Sequence, residues 1–99
     1  KKVEIVYERF SARISTSDLN QFFEQLIERQ PPPSVKGKRV RIYYATQAAT
    51  APPTFVLFVN TTEILDSYLQ YVENRLRVKF GFTGVPVKIQ LRLRTREQR

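Results

Sequence analysis

The stretch PPTFVLFVN, residues 52–60, is apolar at every position from Phe55 to Val59. Successive side chains of a strand point to opposite faces, so Phe55, Leu57 and Val59 line one side while Val56 and Phe58 line the other. A half-solvated strand alternates. An unbroken apolar run of this length instead fits the middle strand of a sheet that has cover on both faces. Pro52 and Pro53 cannot donate to a ladder and mark where the strand begins.

Working back from that strand, RVRIYYATQ (residues 39–47) alternates Val40, Ile42 and Tyr44 against Arg39, Arg41 and Tyr43, which reads as a strand with two unlike faces. AATAPP then makes a long loop, so the two strands form an antiparallel hairpin. Working forward, residues 60–63 have the composition of a helix cap. Leu65, Tyr68, Leu69, Val72, Leu76 and Phe80 follow at helical spacing up to Gly81, with an interruption expected near Ser67. PVKIQLRLR (residues 86–94) alternates Val87, Ile89, Leu91 and Leu93 against Lys88, Gln90, Arg92 and Arg94. A strand, a crossover helix and a further strand give a right-handed unit, so the second and third strands run parallel.

Upstream, Ser15 to Asp18 resembles a capping box. Leu19, Phe22, Phe23, Leu26 and Ile27 form a helical stripe over residues 17–29 that Pro31, Pro32 and Pro33 terminate. Val3, Val6, Tyr7, Phe10 and Ile14 have the spacing of one more short helix, although VEIVY also suits a strand. The expected fold is α+β in the order α-α-β-β-α-β, a three-stranded mixed sheet with helices packed on one face. The opposite face then displays Tyr43, Val56 and Phe58 beside Arg39, Arg41, Lys88, Arg92 and Arg94, and a partner is the expected cover.

The 99 residues suffice for one domain with one modest core. Seventeen Lys and Arg against nine Asp and Glu leave a formal charge of +8, which favours a polyanionic partner. The chain contains neither cysteine nor histidine. Disulfides, thiolate metal sites and imidazole-based acid–base catalysis are therefore excluded. Glu4, Glu8, Glu24, Glu28, Asp66 and Glu73 are scattered over helical positions without an activating partner, so no catalytic residue and no metal site is assigned. No window approaches the ~18 apolar residues of a membrane span, and the start KKVEIVYERF lacks a signal-peptide core, so a cytoplasmic location is expected. The absence of any methionine, even an initiator, reads as a piece or processed form of something longer.

RISTSDLN (residues 13–20), PPP followed by KGKR (residues 36–39), YATQ (residues 44–47), PPTFVLFVN, YVENRLR (residues 71–77) and FGFTGVPVKIQLR (residues 80–92) resemble the C-terminal K-homology-like domain of the Der (EngA) double GTPases. The resemblance covers nearly the whole chain. It implies a type II K-homology (KH-like) fold over residues 15–95, with residues 1–14 a connecting helix from a preceding GTPase domain and 96–99 a disordered tail. It implies, too, a parent that serves assembly of the large ribosomal subunit and uses GTP, GDP and Mg in other domains. No cofactor is expected here, since the only glycines, Gly37, Gly81 and Gly84, form no phosphate-binding loop. The GxxG clamp of typical K-homology domains is missing around residues 65–70, a lack the resembled family shares.

The partners implied are ribosomal RNA of the large subunit and the GTPase domains of the same chain, with no membrane and a monomeric fragment. RNA-binding candidates are the basic turn Lys36, Lys38, Arg39 and Arg41, the helical pair Arg75 and Lys79, and Lys88, Arg92 and Arg94 of the last strand. Tyr43, Val56 and Phe58 are the interdomain docking candidates. Glu73 and Arg77 are spaced for a helical ion pair, so Arg77 is read as structural. A purely intramolecular role, with the open sheet packed on a GTPase domain and no RNA contact, is the alternative.

Overall fold

In the computed structural model, which describes residues 13–82 and 84–94, the apolar stretch is the middle strand of a three-stranded sheet. The described elements are α1 (Thr16–Arg29), β1 (Ile42–Thr50), β2 (Pro53–Val59), α2 (Asp66–Phe80) and β3 (Lys88–Leu93). β2 pairs antiparallel with β1 and parallel with β3, as the crossover argument requires. Phe55, Leu57 and Val59 are fully buried on the side where the helices supply Leu19, Phe23, Leu26, Tyr68, Val72 and Leu76. One face of the sheet therefore holds the core.

α1 starts where Ser15 Oγ accepts the Asp18 N–H at 3.0 Å. It ends at Arg29, before three prolines that cannot continue it. α2 ends at Gly81, which takes the left-handed conformation (φ 79°). The N–H groups of Gly81 and Phe82 both reach the Arg77 carbonyl. The two helices run antiparallel: the Tyr68 hydroxyl near the start of α2 donates to the Gln30 carbonyl just past the end of α1 (2.8 Å), while Phe22 meets Phe80 edge-on at 5.6 Å.

Several expectations change. The additional helix over residues 3–14 lies outside the described residues except for Arg13 and Ile14, which are not helical, so the described order is α-β-β-α-β rather than α-α-β-β-α-β. Arg13 and Ile14 are held by β1 instead. The Ile14 N–H donates to Gln47 Oε1 and Arg13 Nη1 donates to the Gln47 carbonyl, both at 2.7 Å, which lays this segment along the free edge of β1. The tail after Arg94 is likewise outside the described residues.

The long hairpin loop is absent, because β1 continues to Thr50 and pairs with Pro53 across a two-residue turn. α2 is continuous from Asp66, with no break at Ser67, and its N-cap Leu65 makes no side-chain capping bond. Asn60 does not cap it. The Asn60 side chain accepts the Arg41 N–H (2.7 Å) and donates to the Arg39 carbonyl (2.8 Å), extending the β2 ladder to the lead-in of β1.

The alternation of β1 is interrupted too. Ile42 pairs with Val59 but Tyr44 pairs with Phe58, so one extra residue, Tyr43, is accommodated in a bulge. Tyr44, expected beside Val40 and Ile42 on the core side, thereby turns to the opposite face.

Candidate nucleic-acid and docking interface

The face of the sheet away from the helices is built by register. Tyr44 and Thr46 of β1 lie opposite Phe58 and Val56 of β2, which lie opposite Arg92 and Gln90 of β3. Tyr44 stacks on Phe58 with ring centroids 4.5 Å apart and planes 17° from parallel. The Arg94 guanidinium lies 4.9 Å from the centre of the Tyr43 ring and 5.8 Å from that of Tyr44, within reach of a cation–π attraction to both. Tyr43 and Tyr44 remain 42% and 40% exposed, large for aromatic side chains. The bulge thus assembles a layer of three aromatic rings and one guanidinium, and Tyr44 was not foreseen in it.

Of the docking candidates, Tyr43 is exposed and Phe58 half-buried, but Val56 is only 5% exposed. A mid-sheet valine is flanked on both sides, here by its register partners Thr46 and Gln90. Lys88 and Arg92 are exposed on the same face, opposite Thr54 and Phe58.

The basic turn is separate. Lys36 (φ 52°) and Gly37 (φ 75°) form a tight turn closed by reciprocal bonds between Val35 and Lys38, in which glycine satisfies one of the two positive φ angles. Lys36 sits 4.0 Å from Glu63, both well exposed. Arg39 and Arg41 precede β1 and flank a shallow groove with Pro31, Pro32 and Tyr43.

Arg75 and Lys79 lie on the helical layer, on the opposite side of the molecule from the open sheet. Between α1 and α2 runs a groove of about 200 Å³ lined by Phe22, Gln25, Leu26, Arg29, Tyr71, Arg75 and Lys79. Arg29 was not among the sequence candidates. Its only signal was a place in the last turn of its helix, where a cation also complements the helix dipole. Arg77 is structural as expected: it pairs with Glu73 at 3.6 Å and its Nε donates to the Val85 carbonyl, tying α2 to the approach to β3.

Burial, reinforced by the neighbouring Tyr71, pushes the Tyr68 hydroxyl up to about 12. It is the core hydroxyl that anchors α2 to α1. Among the described residues no cluster of carboxylates could hold a metal ion, and no helix is long and apolar enough to cross a membrane.

The family model described as KH-domain-like of EngA bacterial GTPase enzymes, C-terminal, matches residues 13–92. Several relatives carry the name GTPase Der. That of Natranaerobius thermophilus is 50% identical over 95 residues, which cover 95% of this chain and 22% of the relative. That of Pelotomaculum thermopropionicum is 48% identical over 96 residues (96% and 22%), and that of Geobacter metallireducens is 46% identical over 99 residues (99% and 23%). The chain spans about a fifth of the length of the curated relatives it matches.

Proposed function

The chain belongs to the family of KH-domain-like C-terminal domains of EngA bacterial GTPase enzymes, and from that premise we propose that it is the module through which a GTPase of large-subunit assembly contacts ribosomal RNA and docks on its own GTPase domains. In this reading GTP, GDP and Mg belong to the parent's other domains, and the chain contributes binding alone. Residues 15–95 form the module, residues 1–14 connect it to a GTPase domain, 96–99 are a tail, and the setting is the cytoplasm.

The observation that carries the docking half is the one-sided sheet. The face opposite α1 and α2 presents the Tyr44–Phe58 stack and the exposed Tyr43 ring, an apolar surface whose burial favours association. Lys88, Arg92 and Arg94 border this patch, so it is compatible with water when undocked. The RNA half rests on the charge of +8 and on the cations of the basic turn and α2. A purely intramolecular role is favoured by one detail: Arg94, which could reach for phosphate, lies against two tyrosine rings instead.

Capture by the immobilised 99-residue chain tests both halves. Ribosomal RNA and the separately prepared GTPase domains are both retained, and Phe58→Asp loses a GTPase domain while keeping RNA. Retention of a GTPase domain without RNA supports the intramolecular reading, and retention of neither defeats both.

A further inference from the structure

We propose that the groove between α1 and α2 is a seat for the phosphodiester backbone of single-stranded RNA, held by Arg29 from one helix and Arg75 and Lys79 from the other. The inference rests on the RNA-contacting reading and adds to it a place, a ligand form and independence from the docking face.

Three cations from two antiparallel helices line one concavity, and the described residues of its lining include no carboxylate. Convergence in a concave site concentrates their field, whereas cations on a convex surface are dispersed and screened. Arg75 and Lys79 are one helical turn apart, a rise of ~6 Å, which matches a strand that offers one phosphate after another. Gln25 adds an amide that both donates and accepts. The buried Phe22 and Leu26 form the apolar floor, and the half-buried Tyr71 offers ring surface against which a sugar or an unpaired base can rest.

Three of the chain's other cations are engaged elsewhere: Lys36 faces Glu63, Arg77 is held by Glu73 and Val85, and Arg94 lies on tyrosine rings. Because the groove lies on the helical layer and the aromatic patch on the far side of the sheet, RNA bound in the groove does not compete with a domain docked on the sheet. The missing GxxG loop is then no obstacle, since the phosphates are held by side chains rather than by a glycine loop.

The test is fluorescence anisotropy of a labelled twelve-nucleotide oligouridine titrated with the 99-residue chain over a series of salt concentrations. The variants are Arg29→Gln/Arg75→Gln/Lys79→Gln and, as the comparison, Arg92→Gln/Arg94→Gln. The groove triple variant is expected to lose affinity and to lower the slope of log affinity against log salt by about 2, three single-strand phosphates at ~0.7 each. The β3 double variant and Phe58→Asp are expected to keep the slope. Wild-type binding with an unchanged slope in the groove variant overturns the groove while leaving RNA contact standing. An oligoglutamate of equal charge that displaces the RNA equally well points to an acidic protein and overturns it as well. Absence of wild-type binding at low salt removes the RNA reading itself, and the groove with it.

Discussion

Tyr44 lies almost flat on Phe58 across the β1–β2 pair, at 4.5 Å, on the face of the sheet opposite α1 and α2. The stack exists because the bulge at Tyr43 turns Tyr44 outward. An aromatic pair contributes ~0.5–1.5 kcal/mol beyond its buried area, and Phe58 is only half-buried. Tyr44→Ala and Phe58→Asp are therefore expected to lower stability by about 1–2 kcal/mol each and leave the fold intact. Leu57→Ala, fully buried on the opposite face, should cost about 2–5 kcal/mol. Urea unfolding of the three variants measures the contrast, and equal losses would place Phe58 in the core.

The free edge of β1 is closed by a side chain. Asn20 Oδ1 accepts the Ala45 N–H at 2.8 Å and its Nδ2 donates to the Ala45 carbonyl at 3.0 Å, as a neighbouring strand would. Asn20→Ala leaves a fully buried alanine's backbone without partners and should cost about 1–3 kcal/mol. Hydrogen exchange at the Ala45 amide should accelerate well beyond that of Leu57. An unchanged Ala45 rate would mean that water or another group satisfies the edge.

Tyr68 gives the fold an alkaline limit. Its folded-state pKa, about 12, lies above the ordinary value of 10.0, because burial, and then Tyr71, disfavours the phenolate. A raised pKa stabilises the fold fully below the unfolded value, and that stability is lost as pH rises through the folded one. The loss should fall between about pH 10 and 12 and amount to roughly 2–3 kcal/mol. Tyr68→Phe should start less stable, lacking the bond to the Gln30 carbonyl, but should flatten this part of the profile. Denaturant midpoints of the two proteins from pH 9 to 12 test this, and parallel profiles would contradict it.

The apolar run of β2 was sufficient to place it at the centre of the sheet, and the alternation of residues 86–94 set which side of β3 faces the core. Both follow from the two-residue period of a strand. The bulge at Tyr43 was not legible, because RVRIYYATQ alternates acceptably without it. The extra residue is demanded by the pairing with Val59 and Phe58, which local sequence does not encode. Asn20 and Asn60 have the residue type of caps and turns, yet each reaches across to bind another segment's backbone. Arg29 was hidden for a related reason: 46 positions separate it from Arg75, and only the packing of α1 on α2 puts both on one groove.

In the parent protein, the uncovered sheet face should be hidden by a GTPase domain in one nucleotide state and open in the other. This requires that nucleotide change the affinity between the domains, since equal affinities shift nothing. The most direct measurement is amide hydrogen exchange of β1 and β2 in the full-length GTPase, with GTP analogue and with GDP, beside the 99-residue chain alone. Stronger protection of residues 44–46 and 56–59 in one nucleotide state than in the other, and than in the isolated chain, is the predicted result. Equal protection in all three samples would contradict a docking face.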